Sequence, residues 1–158
     1  MTLNIRRVVT GHDDSGKAVV LFDEISDNRK SGRPGQEGCV IWTTDQSPAD
    51  NTGGNDDALC DVATTQADGS IFRIVEYGPG VTPRNHRTDS VDYAVVMSGE
   101  IDMELDDTVV HLKAGDVLVQ RGTIHNWVNN SSEPCIIAFS LVSATPVAVA
   151  GKPLDAVG

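Results

Sequence analysis

From about residue 70 onward the chain is a succession of short β-rich runs, and no stretch carries the 3.6-residue period of an amphipathic helix. Ile71 to Tyr77, Val91 to Met97, Ile101 to Leu105, Val109 to Leu112, Val117 to Gln120 and Cys135 to Val142 are such runs, with Ser98-Gly99 and Asp106-Asp107 as turns between some of them. Many short strands at this spacing indicate a sandwich or barrel. Between Ile101 and Leu105 the pattern is sharpest. Ile101, Met103 and Leu105 alternate with Asp102 and Glu104, so one face meets a core and the other meets water. The expected fold class is all-β, a jelly-roll barrel with extra N-terminal strands.

Those extra strands are Arg6 to Thr10 and Ala18 to Phe22, a hairpin closed by the turn-forming residues 11–17. Residues 23–38 are polar and glycine-rich and read as a loop. Cys39 to Thr43 is a short strand carrying Trp42, and residues 45–57 form a long polar loop of the kind that rims a site. A length of 158 residues fits one domain, divided into strands and loops over 1–69, a barrel core over 70–143 and a surface or fraying tail over 144–158. Open strand edges in the N-terminal part are expected to extend the barrel's sheets and help form a two-fold homodimer.

Charge narrows the partners. A net charge of −11 repels phosphate backbones and anionic lipids, which argues against nucleic acid and membranes. Residues 1–7 lack a secretory apolar segment, so a cytoplasmic address is expected. Three cysteines, Cys39, Cys60 and Cys135, show no CxxC spacing and read as reduced thiols.

Two motifs carry the chemistry. The first runs Gly80, five residues, His86, one residue, Thr88, three residues, Asp92, six residues, Gly99. The second runs from Gly115 through Gly122 and His125 to Asn129. From Arg73 to Val142 the chain resembles the cupin superfamily, small double-stranded β-helix barrels with two such motifs. The resemblance implies a divalent metal held inside the barrel by His, His and Glu from the first motif and one His from the second. Here Thr88 stands at the second His position, Asp92 replaces Glu, and Gln120-Arg121 replaces the usual proline segment.

Strand register supports a site by itself. Residues i and i+2 share a face, so His86 lies with Thr88, Asp92 with Ala94 and Val96, and His125 with Trp127. If His86, Asp92 and His125 all point inward they form a two-imidazole, one-carboxylate set that suits Fe(II) and tolerates Zn or Mn. Each also has a plainer reading, as a hydrogen-bonded core group. Thr88 reads as a small filler; His111 and His12 read as exposed. Trp42 and Trp127 either line a pocket or pack. Arg84, Arg87 and Arg121 flank the histidines, and an inward one would select a carboxylate-bearing ligand. Glu76 could enter the cavity as an acid or base.

Three functions remain open. One is a metal-assisted lyase or oxygenase acting on a small carbonyl or aromatic compound. Another is a metal-free catalyst in which His86, His125 and Asp92 move a proton. The third is a binding module without chemistry. No phosphate-cradling loop or glycosidase-like carboxylate pair is present to suggest another class.

Overall fold

The computed structural model describes residues 3–158. Its strands are β1 (Arg6–His12), β2 (Ala18–Ile25), β3 (Arg29–Arg33), β4 (Gln36–Thr44), β5 (Ser70–Tyr77), β6 (Ser90–Ser98), β7 (Glu100–Glu104), β8 (Val109–Lys113), β9 (Val117–Arg121), β10 (Asn126–Val128), β11 (Cys135–Ser143), β12 (Ala148–Val149) and β13 (Lys152–Pro153). One 3-10 turn, Asp57–Leu59, is the only helical element among the described residues. A six-stranded sheet of order β3-β4-β5-β11-β6-β9 and a three-stranded sheet of order β10-β7-β8 make the jelly roll.

Alternation builds the core. On β11, Cys135, Ile137, Phe139 and Leu141 are buried, and on β6 the inward set is Ser90, Asp92, Ala94 and Val96. Ile101 and Met103 of β7, Leu112 of β8 and Trp127 of β10 close the core from the smaller sheet. Ile71, Ile101 and Ile137 are fully sealed from solvent. Each contributes roughly 1.5–3 kcal/mol over leaving the side chain exposed.

The segment expected as a loop over 23–38 is largely strand. Its residues are polar because β3 is the outer strand of the six-stranded sheet, where a solvated, charged sequence is tolerated. Gly35 makes the β3–β4 turn at φ +80, and a Cβ there would lie 2.8 Å from Val81 Cα. So β3 and β4 do extend the barrel sheet, whereas β1 and β2 pair only with each other. That hairpin is fastened by Arg7, which is 4% exposed and donates to Asp56 and Glu24. Nearby, Leu3 packs with Cys39, Ile41 and Ile74 on the outer face of β4 and β5.

The tail lies on the surface. It folds into the β12–β13 hairpin, then returns so that Val157 exchanges backbone hydrogen bonds with Arg87 at 2.9 and 3.1 Å. No helix among the described residues is long and apolar enough to cross a membrane.

Candidate functional site

His86 and His125 meet as a bridged backbone pair. Each amide donates to the other's carbonyl at 3.0 Å, and the ring centroids lie 4.1 Å apart. Each ring is aimed by the carbonyl two residues before it. His86 Nδ1 lies 3.1 Å from Arg84 O, and His125 Nδ1 lies 3.0 Å from Thr123 O. A carbonyl only accepts, so both Nδ1 atoms carry the proton and both Nε2 atoms present a lone pair. Burial pushes both imidazoles below the ordinary histidine range, His125 to about 4 with help from the neighbouring His86. Near neutral pH both are uncharged bases.

Asp92 is buried on β6, on the same inward face as Ala94 and Val96. Its Oδ1 accepts from Ser90 Oγ at 2.6 Å and its Oδ2 from Gln120 Nε2 at 3.1 Å. The same Gln120 nitrogen lies 3.2 Å from His125 Nε2. One amide thus donates to a carboxylate and an imidazole at once. Burial raises the Asp92 carboxyl, opposed by the Ser90 hydrogen bond and the charge of Arg73. Thr88 sits behind, 2.9 Å from Ser90 Oγ, as a small buried filler.

This arrangement bears on the metal the family resemblance implies. The Gln120 amide occupies the lone pairs that Asp92 Oδ2 and His125 Nε2 would offer a cation. No group of three or more His, Cys, Asp or Glu among the described residues is placed to hold a metal ion. The expected convergence is therefore that of two histidines, with Asp92 joined to them through an amide. The residues as placed do not fit a three-ligand metal site.

The histidines open into a cavity of about 420 Å³. Its apolar wall includes Val75, Trp127, Phe139 and Leu141. Trp127 packs between Tyr77, at 5.9 Å, and Phe139, at 5.7 Å, with His125 edge-on at 6.0 Å. The polar wall carries Arg33, Arg73 and Arg84. Residues 62–64 and parts of strands β3 and β4 also line the cavity, whereas Asp45, Asp50 and Asp57, from the loop expected to rim it, line a separate smaller cleft.

Several other expectations resolve. Trp127 lines the cavity and Trp42 does not. Glu76 stays outside, because Val75 and Tyr77 take the inward positions around it. His111 is exposed and bonded to Asp102 at 2.8 Å; His12 is exposed in the hairpin. Arg84 turns inward, Arg121 is exposed, and Arg87 lies beside the tail near Asp155 O. Cys39 and Cys135 are buried thiols and Cys60 is exposed. Asn129 fastens the fold instead of the site, donating to Tyr77 O at 2.8 Å and Glu133 O at 2.9 Å.

Gln120, Arg33 and Arg73 were missed from the sequence. For Gln120 a signal exists: Val117, Val119 and Arg121 are exposed, so the intervening Leu118 and Gln120 face inward. For Arg33 there is none, since its strand has no apolar pattern.

Comparisons with known proteins agree with this architecture. The family model described as "Cupin domain" matches residues 73–142. A cupin-domain-containing oxidoreductase, fogC, from Aspergillus ruber is 33% identical over 157 residues, covering 94% of this chain and 77% of the relative. Phomopsin biosynthesis cluster protein C' from Diaporthe leptostromiformis is 36% identical over 162 residues, covering 96% and 85%. Among solved structures, a double-stranded β-helix protein from Klebsiella pneumoniae superposes with a TM-score of 0.52 at 20% identity, covering 75% of this chain and 85% of that one. A bridged histidine pair inside a jelly roll, the matching family model and relatives aligned over nearly the whole chain lead to one assignment: the chain belongs to the cupin superfamily.

Proposed function

We propose that the chain is a small-molecule enzyme of the cupin type in which His86 and His125 transfer a proton on a carbonyl-bearing or aromatic substrate. The observation that carries this reading is His86 Nε2, a neutral base facing the cavity with no hydrogen-bond partner among the described residues. His86 is the group that takes a proton from the substrate. His125, 4.1 Å away, is held neutral and oriented by Thr123 O and Gln120, so it does not compete with His86 by repulsion. Asp92 lies on the far side of the Gln120 amide, where its carboxyl group can offset the imidazolium that forms. The relatives' printed names, oxidoreductases and biosynthesis-cluster proteins, support a small organic substrate.

The test is kinetic. Against a panel of aromatic and unsaturated aldehydes, ketones and acids, His86→Ala lowers turnover by roughly 100-fold or more, the scale of a lost general base. His125→Ala lowers it as well, while near-UV circular dichroism stays unchanged. Full activity in both variants overturns the reading.

A second reading is favoured by the relatives named oxidoreductases. Imidazole, carboxylate and amide groups move protons but not electrons, so redox chemistry here would need a redox-active cofactor such as Fe or Mn. Metal analysis of the purified protein, with turnover before and after chelation, separates the two readings.

We also propose a homodimer. Tyr93, Val95 and Met97 of β6 and Val117 and Val119 of β9 are exposed together on the outer face of the large sheet. A second copy of the same face would cover them.

A further inference from the structure

The cavity holds more positive charge than its chain can account for. In a protein with 23 acidic and 12 basic residues, Arg33, Arg73 and Arg84 all line one wall. Four other basic residues pair with acids: Arg6 with Asp23, Arg7 with Asp56 and Glu24, Arg29 with Glu37, Lys30 with Asp61. Among the described residues, none of the three cavity arginines has an Asp or Glu side chain within ion-pair distance, and unlike the unpaired Lys17, Lys113, Lys152 and Arg121 they are partly buried. The one acid on the cavity wall, Asp92, is felt by Arg73 at longer range and already accepts hydrogen bonds from Ser90 and Gln120.

Two of the guanidiniums are instead held from one side by neutral oxygens. Arg33 Nε donates to Thr82 O at 2.6 Å. Arg73 Nη2 donates to Ala63 O and Thr64 O, both at 3.0 Å. These bonds fix the forks of Arg33 and Arg73 but bring no counter-charge. Arg84 Nη2 donates to Thr64 Oγ1 at 3.3 Å and to an oxygen of Gly158, the last residue of the sequence. Two further N–H groups, Arg33 Nη2 and Arg73 Nε, have no hydrogen-bond partner among the described residues, as is also true of Arg7 Nε and Arg87 Nε away from the cavity. A buried donor without an acceptor costs about 1–3 kcal/mol, more when charged. On the two arginines that line the cavity, both within electrostatic reach of Arg84, this spare donor capacity is available to an acceptor from outside.

We propose that Arg33 and Arg73, with Arg84 beside them, bind the carboxylate of the substrate, so that the cavity takes a small aromatic or unsaturated carboxylic acid. The planar fork of arginine matches a carboxylate. The apolar lining, Trp127 with Val75, Phe139 and Leu141 alongside Arg73 on the large sheet, fits an apolar body that inorganic phosphate lacks. About 420 Å³ suits a ligand of that size. The inference rests on the reading of the histidine pair as a small-molecule site, and places the acid group on the arginine wall of the same cavity.

The probes are benzoate, cinnamate and hexa-2,4-dienoate, each paired with its neutral amide, together with inorganic phosphate. Binding is followed by calorimetry and by the imidazole signals of His86 and His125. At least one carboxylate should bind at least roughly tenfold tighter than its amide and shift both imidazoles. Arg73→Met and, separately, Arg33→Met at the half-buried rim should each remove most of that preference, with near-UV circular dichroism confirming the fold. No preference for any acid over its amide, equal binding in both variants, or phosphate competing as well as the carboxylates overturns the proposal. Amides that shift the imidazoles regardless of Arg33 and Arg73 sink the carboxylate site while leaving the histidine site standing. Acids that bind through the arginines without moving either imidazole sink the histidine reading and, with it, the assignment of the acid as that site's substrate.

Discussion

His125 shows what burial does to a titrating group and how the whole protein then answers to pH. Its neutral form is favoured down to about 4, against an ordinary value near 6.5. The unfolded chain therefore takes up a proton at higher pH than the folded one. The associated stability is present in full above pH 6.5 and falls as pH drops toward 4, by up to roughly 3 kcal/mol from this residue. His86 acts in the same direction. Asp92 acts oppositely, because its burial disfavours the charged form and that penalty eases on acidification. In a pH series followed by imidazole NMR, His111, raised by Asp102, should protonate well before His125. Chemical denaturation should show a lower midpoint at pH 5 than at pH 7.5. A His125 that titrates together with His111 contradicts the buried, Gln120-bonded geometry. At this scale the sequence was partly legible. His86 and His125 sit at motif positions and their faces follow from counting by two. Gln120 was not singled out as a site residue, because a glutamine carries no motif and its role comes from Asp92 on the neighbouring β6 and from His125 just ahead of β10.

Elements were legible where one face is dry and the other wet. The six runs from Ile71 to Val142 became β5 to β9 and β11 with ends shifted by a residue or two, since apolar alternation is a direct consequence of a one-sided core, while the three-residue β10 was too short to show it. β3 was invisible for the same reason: at a sheet edge no core imposes a pattern, and pairing with β4 alone defines it. The turn between β6 and β7 tests how strictly backbone shape is specified. Gly99 adopts φ +75, and a Cβ there would lie 2.5 Å from Pro134 O and 2.9 Å from Cys135 Cα. Gly99→Ala should therefore combine a strained φ with a clash against backbone that cannot swing away. The expected loss is on the order of 2–4 kcal/mol in urea denaturation, above the usual range for a loop position. A loss under about 0.5 kcal/mol would mean that the turn can be rebuilt.

For the molecule as a whole, the N-terminal part divides its work. Leu3 and Ile5 pack over Cys39, Ile41 and Ile74 with Ile136 and Ala138, covering one half of the large sheet's outer face. The other half, across β6 and β9, is left with Tyr93, Val95, Met97, Val117 and Val119 in water. Light scattering at micromolar concentration should report a dimer. Val119→Lys combined with Val95→Lys should shift it to monomer while keeping the barrel's circular dichroism. A monomeric native protein contradicts the dimer and leaves that face without a partner. The expectation that the early strands extend the barrel's sheets holds for β4 but not for the β1–β2 hairpin, because sequence reveals that a hairpin exists but not which surface it settles on. Arg7, the residue that fastens it, gave no sign of being buried.

The two imidazoles have one further consequence, which follows from the carbonyls that aim them. Since Arg84 O and Thr123 O both claim an Nδ1 proton, the two imidazoles rest without an acidic hydrogen to give. On the proposed reading the pair cannot begin as an acid. Its first act would be to take a proton from the substrate, and any proton it returns would be that same one or one from solvent reaching His86. Run in heavy water, a reaction of this kind leaves a label in its product at a position set by how long the pocket holds what it took.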